Sequence, residues 1–85
     1  MDYEMILDEI IRFENLTSQE IQDELVPIIK SYDINFLSKL VNVSKDNIHR
    51  ICKSLFVNKN QRVSFKLYIK LLALGKAKDK EENKL

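Results

Sequence analysis

The sequence predicts an all-α fold: a small bundle of about five helices, with an extra amphipathic helix at the N-terminus. Three observations carry this expectation. The 85 residues contain one Gly and one Pro, too few turn formers for a β architecture. Apolar residues recur at intervals of three and four along most of the chain, the spacing of one helix face. Capping residues Thr17, Asp33, Ser44 and Ser64 stand where those apolar runs begin. A chain of this length forms one domain with a modest core. The domain is placed at residues 1–76, with a frayed charged tail at 77–85.

The first helix covers residues 3–14. Tyr3, Ile6, Leu7, Ile10 and Ile11 form its apolar stripe, Asp2 is its N-cap, and Glu4, Asp8 and Glu9 take much of the other face. The second helix has the clearest start. Thr17 and Glu20 fit a capping box, and Leu16 and Ile21 are spaced as a hydrophobic staple. It continues through Leu25 to about Ser31. Pro27 interrupts it, either by kinking one helix or by opening a second short one at its first position. Asp33 caps a helix at 34–41, with Ile34, Leu37, Leu40 and Val41 apolar. After a break at Asn42 and Val43, Ser44 caps a helix at 45–55, where Ile48, Ile51, Cys52 and Leu55 repeat the stripe. Residues 57–62 have the polarity of a loop. Ser64 caps a last helix from Phe65 to Leu74, with Phe65, Tyr68, Ile69 and Leu72 inward. Gly75 fits the left-handed residue just past its end.

The formal charge of +1 conceals a division. Residues 1–24 carry eight acids and one base, a net −7, whereas residues 25–76 carry ten bases and two acids, a net +8. Such a split suggests a polyanionic partner for the basic body; the alternative is two solvated faces that attract each other within one monomer. A single Cys forms no internal disulfide, and one Cys with one His falls short of the four ligands of a structural zinc site. The acidic opening MDYEMILDEI lacks the basic start of a signal peptide. No apolar run approaches the roughly 20 residues that a membrane span requires. These features predict a cytoplasmic protein with no membrane partner. The acceptor patterns Asn15-Leu16-Thr17 and Asn42-Val43-Ser44 are then irrelevant to glycosylation.

The informative stretch is residues 37–51. Two short helices joined by a tight turn must cross steeply. That crossing asks for a small residue at the close approach, which Ser38 supplies. It asks for a turn residue tolerant of positive φ, which Asn42 supplies. Leu37, Val41, Val43, Ile48 and Ile51 are spaced as apolar anchors, and Ser44 caps the second helix. On these residues the segment resembles the helix-turn-helix of the Cro and phage-repressor family. The family pattern has Leu-Ala, three residues, Gly-Val-Ser, two residues, then Thr-Ile or Thr-Val; this chain has Leu37-Ser38, Asn42-Val43-Ser44 and Asn47-Ile48, with Ser38 for the usual alanine and Asn42 for the usual glycine. The resemblance extends from Pro27 to Gly75, and the helix at 3–14 has no family counterpart.

The resemblance implies a helix at 45–55 lying in the major groove of double-stranded DNA. Lys45, Asn47, His49 and Arg50 would then face bases or groove walls, Arg50 pairing with guanine and Asn47 with adenine. Asp46 would accept from cytosine or sit outside the contact. Ser44 and the helix N-termini near Asp33 and Ser44 would meet phosphates, Lys53 would belong to the DNA-binding face, and Lys59, Asn60, Arg62 and the start of the last helix would hold the flanking backbone. The implied protein is a transcriptional repressor working as a homodimer on an inverted repeat, with residues 3–14 as one candidate dimer surface. Its small size and Asn-, Lys- and Ile-rich composition suit a phage or mobile element. The alternative is a protein-binding module, an inhibitor or antirepressor, using the acidic N-terminal helix while the helix-turn-helix serves as scaffold. No nucleophile, base and orienting group fall together, and there is no glycine-rich phosphate loop. The sequence therefore predicts a non-enzyme without cofactor or metal. Cys52 lies on an apolar stripe and reads as core.

Overall fold

The structure, a computed structural model, describes the backbone of residues 3–83 and the side chains of residues 3–80. The described residues form six helices and no strand: α1 (Tyr3–Asn15), α2 (Ser18–Lys30), α3 (Ile34–Val41), α4 (Lys45–Ile51), α5 (Ser54–Asn58) and α6 (Phe65–Asn83). This is the small all-α bundle that the periodicity predicts. Asp2, the expected cap of the first helix, lies outside the described residues.

The centre of the bundle is α2. Its start is fixed by a reciprocal capping box: the Glu20 N–H donates to Thr17 Oγ1 (3.1 Å) and the Thr17 N–H to Glu20 Oε1 (3.0 Å). Ile21, Leu25 and Ile29 follow at four-residue intervals and are all buried. They pack against Tyr68 and Leu71 of α6 and against the inner faces of α3, α4 and α5. Pro27 lies inside α2 without dividing it. Pro27 is exposed, and having no N–H it leaves the Asp23 carbonyl without its helical partner.

Leu37 and Val41 of α3, Ile48 and Ile51 of α4, Phe56 of α5 and Val63 complete the core. The expected 45–55 helix is corrected in one respect. It ends at Ile51, passes through an extended Lys53 (φ −97°, ψ 145°) and restarts as α5. The cause is a contact from another element: the Gln22 amide of α2 donates to the carbonyls of Ile51 (2.9 Å) and Lys53 (2.8 Å). The break rotates the chain, so Leu55 is 54% exposed and Phe56 takes the inward place. Val57 and Asn58, expected in a loop, belong to α5.

The last helix is also corrected. It runs through Gly75 to Asn83, so Gly75 is no terminator and the tail is not frayed over residues 76–83. Gly75 lies where α6 meets α2: a Cβ there would sit 2.8 Å from Ile28 Cδ1 and 2.9 Å from Ile28 Cγ1. The extension is tied down by two side chains. Tyr32 Oη donates to the Leu74 carbonyl (2.8 Å), and Lys78 donates to the Ser31 carbonyl with its ammonium 4.8 Å from the Tyr32 ring centre.

α1 is attached differently. None of its residues is buried. Its C-terminal end carries the firm contacts. Phe13 meets Phe65 edge-on (5.4 Å between ring centres) and Tyr68 at a tilt (4.9 Å). Arg12 pairs with Glu24, and Tyr68 Oη accepts from Arg12 and donates to Glu24. Toward the N-terminus, Tyr3, Met5, Leu7 and Ile11 are all half-exposed or more. The radius of gyration, 13.2 Å, exceeds the roughly 12 Å expected for a compact chain of this length.

Candidate nucleic-acid interface

The joint between α3 and α4 is built from backbone and short side chains. Asp33 Oδ2 accepts from the Phe36 N–H (3.0 Å) and starts α3. Asn42 ends it in the left-handed region (φ 58°, ψ 46°), its N–H returning to the Ser38 carbonyl. The Val43 N–H also donates to that carbonyl (3.2 Å), and Ser38 Oγ donates to the Val43 carbonyl (2.6 Å). A bulkier residue at 38 would lose this clasp and crowd the turn. Ser44 Oγ then accepts from the Asn47 N–H (3.3 Å) and opens α4. The turn therefore comprises Asn42, Val43 and Ser44, and the three residues act as the sequence predicts.

Burial of Ile48 and Ile51 fixes the rotation of α4. At about 100° per residue, those two positions leave Asp46, His49 and Arg50 pointing outward, with Lys45 and Asn47 to either side. All five are exposed, as is Lys53 just beyond the helix. Among the described residues, none of the cations at 45, 50 and 53 pairs with a carboxylate; the acidic N-terminal half spends Glu24 on Arg12 instead.

Arg50 joins two hollows. One, of about 460 Å³, is bordered by Asp46, His49, Arg50 and Lys53. The other, of about 500 Å³, is bordered by Asn47, Arg50, Gln61 and Arg62. So Asn47, His49, Arg50, Lys53 and Arg62 share one continuous surface. Arg62 is also committed to α1: its guanidinium donates to the Phe13 carbonyl (2.6 Å) and stands 5.0 Å from the Phe13 ring centre. Asp46 sits in the middle of the cationic face, where it opposes its neighbours.

Lys59 and Asn60 border neither of these hollows. Lys59 is the exposed C-cap of α5. Asn60 adopts a left-handed conformation (φ 52°), and its Oδ1 accepts from Ser18 Oγ (2.9 Å), so its side chain ties the loop to α2. Two further cations lie near the turn: Lys66, at the helix start where the sequence places backbone contacts, and Lys70, one turn beyond it. Lys66 and Lys70 of α6 border a hollow of about 130 Å³ with Asn42, Val43 and Ser64. Lys70 Nζ approaches the Val41 carbonyl at the end of α3 (3.4 Å). Their four-residue spacing on the last helix was the signal available in the sequence.

Burial raises the pKa of the Cys52 thiol, which disfavours the reactive thiolate. No family model matches this chain, and no curated protein or solved structure matches it.

Proposed function

We propose that the chain is a sequence-specific double-stranded DNA-binding regulator, a repressor acting as a dimer on an inverted repeat and reading the major groove with α4. The observation that carries this reading is the short helix held by Ile48 and Ile51 behind a left-handed turn, with Lys45, Asn47, His49 and Arg50 exposed on its free side. A seven-residue helix with that mounting can enter a groove about 12 Å wide, end first. Arg50 and Asn47 carry the donor and acceptor patterns that distinguish guanine and adenine. Lys53, Arg62, Lys66 and Lys70 supply flanking charge for phosphates, which fixes register without reading sequence.

The test is a binding titration of the whole chain on a mixed duplex pool at several salt concentrations. With about six phosphates neutralised per copy, log K falls against log salt with a slope of about −5. Absence of binding at low salt contradicts the proposal.

A second reading has its own supporting observation, the exposed apolar residues of α1. On that reading the chain is a protein-binding module and the α3–α4 joint is scaffold. A chain that ignores DNA at every salt concentration but binds a protein through α1 would favour it.

A further inference from the structure

Arg62 lies between α5 and α6, outside any helix, and is exposed. An exposed arginine on a loop ordinarily samples many rotamers. Here the backbone on both sides is held. Asn60 is tied to α2 through Ser18 (2.9 Å), the Gln61 N–H donates to the Phe56 carbonyl (3.0 Å), and Val63 is buried in the core. The side chain is held as well. Its guanidinium donates to the Phe13 carbonyl (2.6 Å) and stands 5.0 Å from the Phe13 ring centre. That carbonyl is among the last four of α1, at the negative end of the helix dipole. Phe13 is itself wedged against Phe65 (5.4 Å) and Tyr68 (4.9 Å).

The bond to Phe13 uses one of the five guanidinium N–H groups. Among the described residues the others have no partner, and no carboxylate pairs with Arg62. The same side chain borders the hollow that Asn47, Arg50 and Gln61 line. We propose that Phe13 is a positioning residue for Arg62, presetting its guanidinium at the edge of the α4 face to receive a backbone phosphate of duplex DNA. A planar fork held through one N–H still offers the others for a two-point grip on phosphate. The side chain is ordered before the duplex arrives, so less freedom is lost on binding. α1 thereby takes part in DNA binding without touching DNA. This inference rests on the DNA-binding reading.

A residue that only packs would affect duplex binding equally whatever stands at position 62. A positioning residue acts through Arg62 alone, so substitutions at the two positions are not additive. Phe13→Leu alters no charge. The number of phosphates neutralised, and with it the salt slope, therefore stays the same.

The test is a double-mutant cycle on the whole chain: wild type, Phe13→Leu, Arg62→Ala and both together, each titrated on a mixed duplex pool at several salt concentrations. Phe13→Leu is expected to weaken binding about three- to tenfold at unchanged salt slope. Arg62→Ala should weaken it and reduce the slope by about 1 per copy. In the Arg62→Ala background, Phe13→Leu should add nothing. Phe13→Tyr keeps a ring under the guanidinium and should bind like wild type. Leucine keeps an apolar side chain against Phe65 and Tyr68, and circular dichroism melts check that every variant is folded at the assay temperature. A measurement without DNA reads the positioning itself. In the free chain the heteronuclear NOE of the Arg62 Nε–H group should be high and that of the exposed Arg50 low, and Phe13→Leu should bring Arg62 down to Arg50. A mobile Arg62 in the free wild type overturns the proposal. So does a Phe13→Leu chain that binds like wild type, or one whose loss is the same in both backgrounds. An Arg62→Ala chain that binds like wild type overturns the phosphate role and leaves the DNA reading standing. An ordered Arg62 in a chain that ignores every duplex overturns the DNA reading, and the phosphate role with it.

Discussion

At the scale of single residues, the turn depends on Asn42. Its φ of 58° is a conformation that costs most side chains roughly 1–2 kcal/mol. Asn42→Gly should leave stability within about 0.5 kcal/mol of wild type, since glycine adopts this region without strain. Asn42→Val should cost about 2 kcal/mol in urea unfolding, because a β-branched residue is worst suited to it. The Arg12–Glu24–Tyr68 network makes a second prediction. The Arg12 guanidinium beside Glu24 lowers the pKa of its carboxyl, against the opposing effect of burial. The stability this adds is fully present above the unfolded carboxylate value of about 4.3 and is lost as pH falls through the lower folded value. Burial, reinforced by the bond to Glu24, pushes the Tyr68 phenol up to about 12. That contribution is complete below the unfolded value of about 10 and disappears as pH rises toward 12. Glu24→Gln should flatten the acid limb of a stability–pH profile, and Tyr68→Phe the alkaline limb. A third position is Glu9, whose Oε2 is buried without a hydrogen-bond partner. Glu9→Met should stabilise the fold by about 1 kcal/mol in the same assay, because it removes a desolvated acceptor beside Met5 and Phe65.

At the scale of elements, what the sequence reveals depends on where the deciding contact lies. The starts of α2, α3, α4 and α6 are legible because each is fixed by a capping side chain three residues from the amide it accepts. The turn at Asn42 is legible for the same local reason. The ends are harder to read. α4 stops at Ile51 because Gln22, 29 residues earlier, holds the freed carbonyl. No pattern within 45–55 announces that contact, and the stripe through Cys52 and Leu55 conceals it. Gln22→Ala should therefore cost about 1–2 kcal/mol and speed amide exchange at Leu55 and Phe56. Likewise, Gly75 reads as a terminator until α6 is seen crossing Ile28. The helix goes on because Tyr32 and Lys78 anchor its last turns. Of the candidate site, the exposed face of α4 is legible from the burial of Ile48 and Ile51. The inward use of Asn60 and the commitment of Arg62 to Phe13 are not, since both partners lie more than 40 residues away in sequence.

At the scale of the molecule, the charge division has a spatial counterpart. The acidic N-terminal residues spend one carboxylate on Arg12 and leave the α4 cations uncovered. The uncovered face joins the side chains of α4 to Arg62 in the loop, and Lys66 and Lys70 flank the turn. Its parts should behave differently on a selected duplex. Arg50→Ala should relax sequence preference at one base pair by about 1–3 kcal/mol, whereas Lys66→Ala or Lys70→Ala should weaken all sequences alike. DNA binding through α4 is tested most directly by an amide chemical-shift titration of the intact chain with duplex DNA. The largest changes should fall at residues 42–53 and around Lys66 and Lys70. Changes confined to α1, or none at saturating duplex, would contradict it.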